Sequence, residues 1–291
     1  MTTLIGAQDE RPSVNSDAGN PEPERIVSGE NMAALAQHDL LAGFLKRDLW
    51  LKFALHDIRQ RFRRSLLGPF WITLSTGVMI ASLSVVFGSL FGRDLTDFVP
   101  YVATGLIYWT FLSSMITEGC VAFIEREGYI RNVPMPLIVH FYRAFARNTI
   151  VLAHNMVIYV LVFVYFRHSL NHNYLLFIPG FLLFLLNLAW LSLLAALFST
   201  RYRDIPQLIN SVIQIIFFVT PVFWSVRQFP KRPAVIDFNP AYHLLEIVRA
   251  PLLGEAPEYT SWIVCSVMAV AGSFAALVVY RKAYGRLPYW V

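Results

Sequence analysis

Few residues of this chain are spaced for chemistry, and most of those sit inside apolar sequence. Glu246 and Arg249 stand three apart, so on a helix they share a face and can form an ion pair that lowers the cost of lying near hydrocarbon. Glu118 is a lone carboxylate near the end of an apolar run, with Arg143 and Arg147 as the cations to pair with it. His154, Asn155 and Asn187 fall within apolar runs and read as hydrogen-bonding groups between helices. His168 and His172 have the four-residue spacing of two metal ligands on one helix face, but their short loop offers no Cys or carboxylate, so no metal is expected there. The chain has no G-x-x-x-x-G-K-S/T loop, no H-E-x-x-H, no G-x-S-x-G and no closely spaced Asp pair of the kind that holds a metal for nucleotide-sugar transfer. An enzyme is therefore disfavoured and no cofactor is expected on this chain. Any ATP, with its Mg, must be bound by a separate subunit.

The elements that must position these residues are those of a membrane protein. Of the 291 residues 56% are hydrophobic and only 15% charged, against about 25% charged in soluble domains. Cys120 and Cys265 lie in separate apolar runs, which gives neither a disulfide framework nor a thiolate metal site. The net charge of +5 follows the membrane rather than a nucleic acid. Hydropathy marks six spans, at 68–92, 99–124, 141–166, 174–200, 205–226 and 261–280. Of the 24 Lys and Arg, 18 fall on the side of the termini and 6 on the opposite side. The expected fold is thus an all-α polytopic membrane protein of six transmembrane helices with both termini in the cytoplasm.

Residues 1–31, rich in Pro, Glu, Asp, Asn and Ser, read as a disordered cytoplasmic leader without the features of a signal peptide. Residues 32–67 read as an amphipathic interfacial helix, with Leu51, Leu55, Ile58 and Phe62 at helical spacing. Arg59, Arg61, Arg63 and Arg64 then meet anionic lipid headgroups, at about 1 kcal/mol each, or act only as positive-inside anchors. Ser84, Gly88 and Gly92 form a small-residue ridge, read as packing within the subunit ahead of a dimer seam. Residues 125–140 form a charged loop broken by Pro134 and Pro136, either a partner-sized amphipathic element or a connector.

The stretch 201–254 departs most from ordinary membrane helices. A charged turn containing Arg203 and Asp204 opens it, and Thr220-Pro221 interrupts the apolar run that follows. Proline removes a backbone donor, so the helix should kink or unwind at Thr220, where only protein or a wet cavity satisfies the freed carbonyls. Residues 227–258 then read as a re-entrant outer gate of two short helices between spans five and six, with Asn239-Pro240 as a helix-start signal. An amphipathic helix lying flat on the surface is the alternative. Tyr101, Tyr108, Trp109, Phe217, Phe218, Phe223 and Trp224 concentrate near the second and fifth spans, where flat rings suit sugar C–H faces. For Phe217 and Phe218 a translocation path and a packing core remain equal readings.

These residues carry a family resemblance. Arg203-Asp204, Gln207, Gln214, Thr220-Pro221-Val222-Phe223-Trp224, Asn239-Pro240, Glu246, Arg249 and Leu252-Leu253-Gly254 resemble the permease subunit of ABC-2 type polysaccharide exporters, the O-antigen, capsule and teichoic-acid group. Ser65-Leu66-Leu67-Gly68-Pro69-Phe70-Trp71 and the ending Tyr289-Trp290 fit the same pattern, with His56 and Phe62 where the family places Arg and Tyr. The resemblance implies an inner-membrane homodimer joined to an ATP-binding subunit and exporting a lipid-linked glycan through a six-helix domain over 68–291. It also implies that Arg126, Arg131, Asn132 and Pro134, with Arg203 and Asp204, serve coupling to the ATPase. Pro221, Glu246 and Arg249 join the aromatics as path and gate. Rival readings are an ABC-2 exporter of drugs or small lipids, and a membrane-embedded glycan ligase or polymerase.

Overall fold

The computed structural model describes residues 29–65, 68, 70–166, 171–226 and 233–291, and every regular element among them is helical. The expected leader lies outside the described residues up to position 28, as do His168, positions 66, 67 and 69, and positions 227–232 of the expected gate.

The interfacial segment expected as one helix is two, α1 (Gly29–Leu45) and α2 (Arg47–Arg61), broken at Lys46 with φ −79° and ψ 42°. The break lets each helix find a different seat: α1 packs on α6 (Ile138–Tyr165) and α11 (Tyr259–Ala283), and α2 packs on α6. Asp39 explains the hold on α1. Helix α6 has no local side-chain cap, and the buried Asp39 carboxylate accepts from the N–H groups of Leu137 and Ile138 at 2.8 and 3.0 Å. The Tyr280 hydroxyl donates to the same carboxylate at 2.6 Å, tying α1, α6 and α11 at one point.

Among the described residues five helical runs are long and apolar enough to span a membrane: α3 (Phe70–Phe91), α4 (Leu95–Val121), α6, the run His172–Arg201 that contains α7 (Phe177–Arg201), and the run Tyr259–Trp290 that begins with α11. The stretch expected as the fifth of six spans is not among these five, because its helix α8 (Ile205–Val219) has only 15 residues. At 1.5 Å per residue it reaches about 22 Å, short of a hydrocarbon core of about 30 Å. It stops where proline makes it stop, with Thr220 extended at φ −88° and ψ 135°.

Helix α4 is the centre of the bundle, in contact with α3, α6, α7, α8 and α10 (Pro240–Leu252). Helix α3 is peripheral, and its Val78, Met79, Val85, Val86 and Leu90 are exposed on an apolar outer face. Ser84 and Gly88 are buried, Gly88 against Leu95 and Phe98 of the α4 end, so this part of the ridge packs within the subunit. Gly92 ends α3 at φ +59°.

Apolar side chains gain nothing by leaving lipid for one another, so close backbone approach does the packing. A Cβ on Gly105 would lie 2.5 Å from the Val222 carbonyl oxygen, and one on Gly180 would collide with the Ile247 carbonyl oxygen of α10. Gly180→Ala should therefore force α7 and α10 apart and destabilise the protein by about 1–3 kcal/mol, read as a lower unfolding temperature in detergent. Gly77→Ala, whose Cβ meets only Ile158 at 3.9 Å, should not.

Candidate functional site

The short helices at the far side of Thr220-Pro221 are α9 (Ala234–Asp237) and α10. Asn239 caps α10 by accepting from Ala241 N at 3.0 Å, Pro240 follows at the first helical position, and the Asn239 amide donates to Thr220 Oγ1 at 2.9 Å. Eleven of the 13 residues of α10 are buried, among them Leu244, Leu245, Ile247 and Val248. The helix lies against α4, α7 and α11. His243 fixes its start, facing Ser261 Oγ and the Asp237 carbonyl oxygen at 2.9 Å each. Its end is held by Tyr159 on Leu252 O at 2.8 Å and by Asn171 and Asn173 on Gly254 O at 2.7 and 2.8 Å.

At the middle of this plug the expected ion pair is present. Arg249 Nη2 donates to Glu246 Oε2 at 3.0 Å, and Nη1 donates to the Pro221 carbonyl oxygen at 2.6 Å. The Tyr101 hydroxyl lies 3.0 Å from the same carbonyl and 2.9 Å from that of Trp224, while its ring lies 4.3 Å from the guanidinium carbon. The carbonyls of Pro221 and Trp224, in the non-helical stretch after α8, are thus satisfied by protein donors. Beside them Phe223 meets Phe87 and Phe217 at ring distances of 4.8 and 5.5 Å, and Phe217 meets Trp109 at 5.4 Å. Phe218 turns outward at 67% exposure, and Trp224 Nε1 donates to its carbonyl. Tyr108 does not join this row. It is 1% exposed and edge-on to Phe177, Phe181 and Phe184 between α4 and α7.

A second polar centre lies at the opposite end of the bundle, between α2, α4 and α6. Asp57 accepts from both Nε and Nη2 of Arg143, from Arg147 at 3.3 Å, and faces Arg126 at 3.8 Å. Burial opposes its ionisation, but the Arg143 hydrogen bonds and the charges of Arg143, Arg126 and Arg147 prevail and hold its carboxyl below the ordinary range. Glu118 pairs with Arg147 at 2.7 Å as expected, accepts from Asn148 at 2.7 Å, and lies 3.9 Å from Arg61. Asp57 itself was not among the expected site residues. Arg59, Arg61, Arg63 and Arg64 are all exposed at and beyond the end of α2.

The expected coupling residues gather at this same end. Helix α5 (Glu127–Asn132) carries Arg131, paired with Glu127 at 2.9 Å and donating to Val291 O at 2.6 Å. Asn132 donates to Gly128 O, and Pro134 is exposed in the link to α6. Arg203 donates to Trp290 O at 3.3 Å and Arg201 stacks over the Trp290 ring, so the turn before α8 meets α12 (Leu287–Trp290). Asp204 is exposed and starts α8 without a side-chain cap. Asn187 bridges helices as expected, donating to Cys265 O at 3.0 Å. His154 does not: its ring bonds Ile150 O, the i−4 carbonyl of its own helix.

The profile described as ABC-2 type transporter matches residues 53–253. The O-antigen export system permease protein RfbA of Myxococcus xanthus is 22% identical over 209 residues, 70% of this chain and 80% of that protein. Two Klebsiella pneumoniae proteins of the same name are 22% identical over 199 residues and 20% identical over 242, the latter covering 81% of this chain and 92% of the relative.

Proposed function

The chain belongs to the ABC-2 type transporter family, and we propose that it is the permease subunit of an exporter moving a lipid-linked polysaccharide, O-antigen first among the candidates, across the bacterial inner membrane. The observation that carries the reading is α10. A 13-residue helix, too short to span, is buried in a bundle of membrane helices and pinned at both ends by polar contacts. Non-helical backbone such as that at Pro221 is tolerated at membrane depth only inside protein or along a wet path. A re-entrant gate closing such a path meets both conditions.

In this reading Phe217, Phe218, Phe223 and Trp224 line the path, with Tyr101, Pro221, Glu246 and Arg249 as the gate latch, while Tyr108 and Trp109 back the wall. Two copies of the chain enclose the path and join ATP-binding subunits that hold ATP and Mg. Arg126, Arg131, Asn132 and Pro134 on one segment, and Arg203 and Asp204 on another, face those subunits from the cytoplasm, where both termini lie. The arginines that follow α2 meet anionic headgroups. ATP-driven movement of α5 reaches the path through α6 and α4, whose cytoplasmic ends the Glu118–Arg147 pair joins, while the Asp57–Arg143 pair ties α2 to α6.

Deleting the chain should abolish surface polysaccharide while glycan accumulates inside the cell. Arg131→Glu reverses an exposed charge and should leave membrane insertion intact, yet lower co-purification of the ATP-binding subunit and export by at least about tenfold, the scale of 1.4 kcal/mol. Unchanged association and export in the variant would reduce α5 to a connector. Normal surface glycan in the deletion strain would remove the permease reading itself.

A further inference from the structure

In the permease reading two exposed segments, far apart in sequence, face the ATP-binding subunit: α5, which carries Arg131, and the turn that holds Arg203 between α7 and α8. Both reach the same partner within the chain. The run Tyr259–Trp290 ends in α12, and the last carbonyls of a helical run have no donor within it and form the negative end of its dipole. Arg131 Nη2 donates to the Val291 carbonyl oxygen at 2.6 Å, and Arg203 Nη2 donates to that of Trp290 at 3.3 Å. Arg201, at the end of α7, adds a third hold: its guanidinium carbon lies 5.3 Å from the centre of the Trp290 ring.

Helix α12 is itself anchored. Leu287 and Val291 are 0% and 3% exposed and share a core cluster with Phe123, Ile138, Leu197 and Tyr280, against which Ile130 of α5 also packs. The helix contacts both α5 and α7. Hydrogen bonds from a charged donor are stronger than neutral ones, and here they converge from two segments on one buried helix end.

We propose that α12 is a clasp, with Trp290 as its positioning residue. It holds α5 and the turn before α8 at a fixed spacing, so that the ATP-binding subunit meets one two-part seat rather than two independent segments. A push on either part then moves both. The inference rests on the permease reading and adds the element that joins its two coupling segments.

The test uses the complete transporter in nanodiscs, with spin labels on Gly128→Cys in α5 and Gln207→Cys in the first turn of α8, in a Cys120→Ser/Cys265→Ser background. A Cβ at Gly128 meets open space and Gln207 is exposed, so neither label displaces a packed side chain. The labelled chain is diluted in unlabelled copies, so that the distance is read within one chain. With the clasp intact the distance should be narrowly distributed. Trp290→Ala should broaden it and lower the glycan exported per ATP hydrolysed by about fivefold, within the range of mutations that alter coupling between sites. Trp290→Phe keeps a ring beneath Arg201 and should restore both readouts. Arg201→Gln takes the cation from the same contact at an exposed position, so it should broaden the distance without disturbing the core. A narrow distance and unchanged export per ATP in both Trp290→Ala and Arg201→Gln overturn the clasp, as does a loss in Trp290→Ala that Trp290→Phe leaves unrepaired. If Arg131→Glu still lowers association of the ATP-binding subunit in that case, α5 couples without the clasp and the permease reading stands.

Discussion

Asp57→Asn is expected to destabilise the protein by about 3–5 kcal/mol, because it strips the counter-charge from a buried arginine and leaves the arginine in place. The side chains of Asp57 and Arg143 are 8% and 9% exposed, and Arg147 and Arg126 also face the same carboxylate. Removing it leaves Arg126, Arg143 and Arg147 at the junction of α2 with α6 without the carboxylate they share. Helix α2 should then lift from α6, seen as a lowered unfolding temperature and as faster proteolysis near Lys46. Asp57→Leu/Arg143→Met replaces both partners of the closest pair by apolar side chains and should recover most of the loss, since a matched apolar replacement of a buried pair is often neutral. A double variant no more stable than Asp57→Asn would show that the stranded Arg143 charge is not the cause of the loss.

The same group sets an acid limit. Its folded-state carboxyl lies below the ordinary value of 3.8, so its contribution is present above that pH and is lost as pH falls through the lower folded value. Unfolding followed from pH 6 downward should therefore steepen below about pH 4 in the native protein, and Asp57→Asn should flatten that window.

What the sequence made legible was local. The end of α8 follows from Thr220-Pro221, the Glu246 and Arg249 pair from helical spacing, and the start of α10 from Asn239-Pro240. Glu118 could be given its partner because a lone carboxylate in apolar sequence needs one of the few cations within reach. Asp57 stayed hidden because Arg143 is 86 residues away, and an amphipathic helix has the same pattern whether its polar face meets headgroups or a buried set of arginines. The division of 32–67 into α1 and α2 escaped for a related reason. Lys46 is no helix breaker, and the seat of α1 depends on Asp39 reaching the bare N-terminus of α6 nearly a hundred residues on. Hydropathy counted 205–226 as a span because apolar residues continue past Val219, although the helix does not.

Arg249→Leu should have the second large effect, and it reaches function directly. Arg249 is 3% exposed, and its guanidinium serves three partners at once: the Glu246 carboxylate, the Pro221 carbonyl and the Tyr101 ring. The planar fork of arginine matches this arrangement, and the point charge of Arg249→Lys cannot, so that variant should fall between wild type and Arg249→Leu. Loss of the fork leaves Glu246 ionised and largely buried without its cation, a defect of about 3–5 kcal/mol concentrated on α10. The helix should then spend time away from α4 and α7. Leu245 is fully buried in the resting protein, so Leu245→Cys in a Cys120→Ser/Cys265→Ser background reports this through a membrane-impermeant thiol reagent. The cysteine should be protected at rest, labelled during ATP-driven export, and labelled without ATP once Arg249→Leu is added. Glu246→Gln/Arg249→Leu should restore part of the resting protection, because the stranded charge is gone. Continued protection of Leu245→Cys in Arg249→Leu, with ATP or without it, would show that α10 is a fixed part of the bundle and that the gate lies elsewhere.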